Sequence, residues 1–268
     1  MVSKIRTPTS QEVEQLRLIL STYQDGTGML AQKDGSTLPG WRDFERSVAL
    51  ALNGEAQESK FIFDVLLPSQ RDPNVKYGLS CKMRRELNKV EKEGRVSIEL
   101  SNSAGKFWDD LRRRKINQKN YRKKPLEVGV ALIELIEQWH DEVSTQEGGT
   151  VDLSGSSYLV LSWNKAGWYQ LHQFPIHLPP PVSLNWYFPT TRCLKANDNS
   201  GMLFEWYGES GGQLKYYPLA VNAIWSSGRF QLEPLKNVGH GILAKVAAYF
   251  PQLWSKANQN LSIGRKNE

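Results

Sequence analysis

Two short runs of this chain hold side chains that could do chemistry together. One is Phe61-Ile62-Phe63-Asp64-Val65, with a single carboxylate among apolar residues, and the other is Gly78-Leu79-Ser80-Cys81-Lys82. The polar stretch SQRDPN separates them, so they read as neighbouring antiparallel strands. Pairing about a turn near residues 71 and 72 sets Asp64 opposite residues 79 and 80, close to Ser80 and Lys82. Strand alternation puts Gly78, Ser80 and Lys82 on one face and turns Leu79 and Cys81 toward the core, with Cys81 an inert packed thiol. Such a pair can be a structural ion pair between an edge carboxylate and its lysine. It can also serve phosphodiester hydrolysis, which needs a water nucleophile, relief of extra negative charge on phosphate and a protonated leaving oxygen. A carboxylate-bound magnesium ion with its waters meets those needs, and a lysine beside it can orient or deprotonate the water and hold the phosphate.

The elements that would position this pair follow from periodicity. Ser10 and Glu12 ahead of Val13, Leu16, Leu18 and Leu20 predict a first helix that fades near Gly26 and Gly28. After Leu38-Pro39-Gly40, Trp41, Phe44, Val48 and Leu52 recur at three- and four-residue spacing and predict a second, with Arg42, Asp43 and Arg46 turned elsewhere. Asn53-Gly54 ends it. The segment RVSIELSNSAGKFWDDLRRR should end in a helix. Another, broadly apolar, runs through Leu126, Val130, Ile133, Leu135, Ile136 and Trp139 and closes by Gly148-Gly149. SYLVLSW and GWYQLHQF read as strands around a tight NKAG turn, giving helix, strand, strand, helix, strand. Past Leu178-Pro179-Pro180-Pro181, the best candidate boundary, SLNWYF, MLFEWYG, LKYYPLAV and GRFQLEPL are β-like. Leu243, Val246, Ala247 and Phe250 suggest a last helix before a loose polar tail.

GWRDFERSVALAL, FIFDV and GLSCK, taken in order, resemble the PD-(D/E)XK nuclease superfamily, to which most type II restriction endonucleases belong. The resemblance covers about the first two thirds of the chain. It implies an α/β (α+β) fold with a mixed central sheet flanked by helices, here a single domain over 1–268 with a catalytic core about 38–178 and a β-rich elaboration about 182–255. It also implies that Asp64 is the central metal ligand, that the Cys81 main-chain carbonyl is another, and that Ser80 and Lys82 complete the catalytic strand. Phe63 stands where the motif has proline and Ser80 where it has an acid, and some members with serine recruit a glutamate instead. Glu45 shares the apolar face of its helix, where an unpaired carboxylate is costly, so a metal shared with Asp64 would compensate it. Glu99 in SIELSN is the rival, and a surface partner for lysine or arginine is the plain alternative for Glu45.

The activity so implied is Mg2+-dependent cleavage of double-stranded DNA at a particular sequence, by a homodimer matching a palindromic site, with a cognate DNA methyltransferase as genetic partner. A repair or structure-specific nuclease of the same fold, or a DNA-binding module with a decayed site, are the alternatives. The net charge of +6 is gathered in one place, because Lys106 to Lys124 holds nine basic residues against two acidic ones. That suits a polyanion, although a solvated helix face has the same composition. Arg84, Arg85 and Lys89 after the catalytic strand, and Arg112, Arg113, Arg114, Lys119 and Arg122, are the candidate DNA contacts, mostly to phosphate, with Asn117 or Asn120 as candidate readers of base edges. No Walker-type glycine pattern is present, which argues against nucleotide hydrolysis. His140, His172, His177 and His240 show no ligand spacing and are expected at surfaces or turns. Two cysteines form no disulfide framework, and no apolar run spans a bilayer or starts as a signal peptide, so a reducing, cytoplasmic location with no membrane partner is expected.

Overall fold

A computed structural model describes residues 5–57, 62–69, 72, 74–209, 212–235 and 250. Among them the chain is mixed α/β. Helix α1 spans Ser10–Thr22, and strands β1 (Leu30–Ala31) and β2 (Thr37–Leu38) form a small ladder ahead of helix α2 (Trp41–Ala51). Then come β3 (Glu55–Ala56), β4 (Val65–Pro68), β5 (Lys76–Arg84), α3 (Leu87–Glu93), β6 (Ile98–Ser101), α4 (Ala104–Arg113) and α5 (Pro125–Asp141). The remainder is β7 (Ser157–Trp163), β8 (Trp168–Pro175), β9 (Asn185–Thr190), β10 (Cys193–Asp198), β11 (Gly201–Trp206), β12 (Leu214–Tyr216), β13 (Trp225–Ser226) and β14 (Phe230–Gln231).

Seven strands make the larger sheet, in the order β13, β8, β7, β5, β4, β3, with β14 also on β8. β3, β4 and β5 are an antiparallel meander, while β7 returns parallel to β5. A parallel return needs a crossover, and α5 lies within it. Both faces of this sheet are buried. Val65, Leu67, Leu79, Cys81, Leu159 and Leu161 pack with Leu16, Leu20, Phe44 and Val48 of α1 and α2. The alternate positions Leu66, Tyr158 and Val160 join Val128, Leu132 and Ile136 of α5. The face expected to carry Gly78, Ser80 and Lys82 freely is therefore also core: Ser80 is buried, and a Cβ on Gly78 would stand 2.3 Å from the Phe63 ring.

The smaller sheet has the order β6, β12, β11, β10, β9, with all its pairs antiparallel. Its edge strand β6 comes from the first half of the chain, so the β-rich C-terminal part is stitched into the core rather than appended after the prolines. α5 packs on it so closely that a Cβ at Gly129 would meet the Trp186 indole at 2.2 Å.

Several expectations are corrected at this level. Leu18, Trp41 and Leu126 are exposed despite their apolar spacing. Thr9, not Ser10, caps α1, with its hydroxyl accepting the Glu12 N–H. Asp43 is buried, because its Oδ2 accepts the N–H groups of Gly40 and Met29 and so stops the start of α2 from fraying. β1, β2, β3, α3, β6, β10 and β13 are additions to the expected elements, and α5 ends at Asp141, before Gly148. The helix expected around Leu243 to Phe250 and the position of His240 lie outside the described residues, apart from Phe250, which is exposed. Among the described residues no helix is long and apolar enough to cross a membrane.

Candidate functional site

Register fixes the site. Val65 pairs with Leu79 and the Asp64 N–H donates to the Leu79 carbonyl at 3.0 Å, which delivers the Asp64 carboxylate to the middle of β5. There its Oδ2 accepts the Cys81 N–H at 2.7 Å and the Lys82 ammonium at 3.1 Å, with the Ser80 hydroxyl at 3.5 Å. Lys82 Nζ also donates to the Cys81 carbonyl at 3.2 Å. One ammonium thus bridges a carboxylate and a main-chain carbonyl. All three donors to Asp64 converge on Oδ2, so Oδ1 is not used by any of them.

Phe63 holds the aspartate from behind. Its ring fills the space a side chain on Gly78 would need and stacks on His140 of α5 at 5.6 Å between centroids. A residue larger than glycine at position 78 would push Phe63, and with it the adjoining Asp64, out of register. Burial, with positive charge from His177 and Lys82, pushes the His140 imidazole down to about 4. His140 and His172 are both buried, contrary to the surface placement expected of them, whereas His177 is exposed. Burial among apolar groups likewise pushes the Cys81 thiol well up, with the Asp64 carboxylate adding to it, which fits an unreactive thiol. Both cysteines are free and buried.

A cleft of about 510 Å³ opens over the pair, lined by Trp41, Glu45 and Asp64, by Cys81 to Arg84 of β5 and by Glu99 to Asn102 of β6 and the residue after it. It gathers every residue expected at the reaction centre except Ser80, which is buried beneath. Glu45 reaches it from α2, 3.6 Å from Arg42, with a side chain only 9% exposed. Glu99 reaches it from β6, where it is ion-paired with Arg84 and accepts a hydrogen bond from Gln213. Gln213, placed by the pairing of β12 with β6, carries no sequence signal of its own. Trp41 fits the helical spacing of a core residue, yet it lies half exposed at the mouth with the Arg42 guanidinium 4.7 Å over its ring.

The site offers hard oxygen donors but is not a complete cage. The Asp64 carboxylate and the Cys81 carbonyl present oxygens that already share one positive group, whereas no cluster of three or more histidine, cysteine or acidic side chains among the described residues stands ready to hold an ion. Magnesium, which keeps several waters and takes one or two carboxylates, is compatible with so sparse a set.

The expected DNA contacts are dispersed. Arg84 lines the cleft, while Arg85 stacks over Trp163 and Lys89 over Tyr217. None of Arg112, Arg113, Arg114, Asn117, Lys119, Asn120 or Arg122 lines it. Arg112 pairs with Asp109, Arg113 with Asp110, and Arg114 with Asp110 and Glu134. Asn117 and Asn120 shape their own turn: Asn120 Oδ1 accepts the Asn117 N–H and Asn117 Oδ1 the Lys119 N–H, which occupies groups a base reader would present. Lys119 and Arg122 remain exposed. No family model, curated protein or solved structure matches this chain.

Proposed function

We propose that this protein is a Mg2+-dependent endonuclease of double-stranded DNA, of the PD-(D/E)XK type and most simply a type II restriction enzyme. The observation that carries the reading is the Lys82 ammonium shared between the Asp64 carboxylate and the Cys81 carbonyl inside a cleft also lined by Glu45 and Glu99. The order of elements lends support: α2, the antiparallel β3, β4 and β5, the crossover α5 and the parallel β7 form a helix-flanked mixed sheet of the kind the sequence resemblance implies.

When bound, magnesium supplies charge neutralisation at the phosphate and an acidic water. Asp64 and the Cys81 carbonyl would hold it, with Glu45 completing the carboxylates in place of the acid that Ser80 does not provide. Lys82, as an ammonium, would orient the attacking water and hold a phosphate oxygen by donating hydrogen bonds once Asp64 is engaged. Phe63 and His140 keep Asp64 in place, and the buried, hydrogen-bonded Ser80 backs the strand. The exposed basic residues of 112–124 draw the polyanion to the protein rather than touch the reacting phosphate.

The test is incubation of purified protein with plasmid DNA and magnesium. Discrete fragments support a restriction enzyme, and diffuse degradation a less specific nuclease of the same fold. DNA binding without cutting would instead favour a module whose site has decayed at Ser80. A methyltransferase gene alongside and a dimer in solution would strengthen the first outcome.

A further inference from the structure

The two glutamates of the cleft are held very differently. Glu45 is nearly buried on α2, whereas Glu99 comes from β6, 20% exposed, with Arg84 and Gln213 both donating to the same oxygen, Oε2. Arg84 is two residues beyond Lys82 on β5, so the two cations project from one face of one strand into the cleft. A guanidinium in that position has two competing partners, the Glu99 carboxylate of β6 and any phosphate that enters the cleft. Phosphate accepts the planar fork bidentately and is the better match, while a partly exposed Arg–Glu pair is weakly held.

We propose that Arg84 is a phosphate-operated latch on Glu99. In the free protein it ties Glu99 to its own side chain, and a backbone phosphate entering the cleft takes Arg84 over and frees Glu99 as an additional carboxylate for the divalent cation. This rests on the nuclease reading of the cleft and deepens it. DNA binding and cation binding are then coupled, each strengthening the other by the same factor, so the cation site is complete only when substrate is in place. Gln213, a neutral donor, keeps Glu99 aimed into the cleft after Arg84 leaves. No bond is made or broken; one ion pair is exchanged for another.

The coupling is read as Mn2+ affinity by electron paramagnetic resonance, using the full chain alone and with a phosphorothioate duplex of mixed sequence. A methylphosphonate duplex, which lacks the backbone charge, is the control. The wild type should bind Mn2+ at least about five-fold more tightly with the charged duplex, within the usual range of such couplings, and show no gain with the neutral one. Arg84→Met alone should show the tighter affinity without DNA. Arg84→Met with Glu99→Gln should lose that gain, which separates release of Glu99 from mere removal of a positive charge. Equal Mn2+ affinity for Arg84→Met and wild type, or a gain that survives Glu99→Gln, overturns the latch. Asp64→Asn separates the latch from the nuclease site: loss of Mn2+ binding there with an unresponsive Arg84→Met removes only the latch. Mn2+ binding that persists in Asp64→Asn, or is absent from the wild type even with the charged duplex, removes the nuclease reading and the latch with it.

Discussion

Lys82 and Asp64 meet through one oxygen: the ammonium is 3.1 Å from Asp64 Oδ2, the same atom that takes the Cys81 N–H at 2.7 Å. Asn at position 64 can keep an acceptor for that N–H, and Ala cannot. Asp64→Asn should therefore lower cleavage by about 10²-fold or more while melting near wild type, whereas Asp64→Ala should lose activity and also about 1–3 kcal/mol of stability from the orphaned N–H. Lys82→Ala should lose roughly 10²- to 10⁴-fold in rate, the usual contribution of a positioned acid–base group. Cleavage kinetics beside thermal melts decide it, and wild-type cutting by either Asp64→Asn or Lys82→Ala would place the chemistry elsewhere.

The glutamates make a second comparison. With Glu45 the resident carboxylate, Glu45→Gln should cut orders of magnitude more slowly and require far more magnesium, and Glu99→Gln should be affected less. Cleavage rates over a magnesium titration resolve the order. An inactive Glu99→Gln beside an active Glu45→Gln would exchange their roles.

How much of this is legible in the residues differs from place to place. The β4–β5 register can be read because a short polar turn between two apolar runs leaves few ways to pair them, and Asp64 consequently lies where alternation puts it. The burial of both faces of β5 cannot, since a parallel neighbour and a crossover helix are long-range features and Gly78 gives no hint of the Phe63 ring beneath. β6 is hidden for a related reason: SIELSN is short and polar, and its partner β12 is more than a hundred residues away. Asn117 and Asn120 suit base reading by residue type, but the same short polar side chains are those that close turns. His140 lacks a second ligand at any useful spacing, yet its place on the apolar helix before Asp141 already argues for burial.

That buried histidine makes stability depend on pH. Its folded value, about 4, lies below the ordinary 6.5, so between these limits the unfolded chain binds the proton and the folded one does not. The neutral imidazole costs nothing above pH 6.5, and stability falls as pH drops from 6.5 toward 4, by roughly 3 kcal/mol in all. His140→Phe preserves the ring packed on Phe63 and removes the proton site, so its melting temperature should decline less than that of the wild type across this window. Parallel slopes for the two proteins would mean that other groups dominate.

Salt dependence tests the basic segment. Arg112, Arg113 and Arg114 each hold a carboxylate, so charge reversal of Lys119, Arg122 and Lys123, which are exposed, should flatten the dependence of DNA affinity on salt more than removal of the three arginines. Every phosphate that the variant no longer neutralises lowers the log–log slope by about 0.9. An unchanged slope in both variants would turn this segment away from DNA.

Ser80 offers the reverse experiment, a gain of ligand. Its hydroxyl is 3.5 Å from Asp64 Oδ2 and the residue is only 6% exposed, so Ser80→Asp sets a second carboxylate against the first in a place where water screens poorly. Two such carboxylates disfavour joint ionisation unless a cation lies between them, and Lys82 can neutralise only one. Without divalent ions the variant should therefore melt below the wild type. A divalent cation that binds the folded protein alone stabilises it by about 2.7 kcal/mol at a hundred-fold excess over its dissociation constant, which for a chain of this size is a rise of several degrees. Ser80→Asp should thus recover on addition of magnesium, with a larger shift than the wild type shows at the same concentration, and Asp64→Asn in the same background should cancel the difference. If magnesium moves neither protein, the space between positions 64 and 80 does not hold a cation, and the missing acid of the motif marks a site that has lost its metal rather than one that takes its second carboxylate from α2.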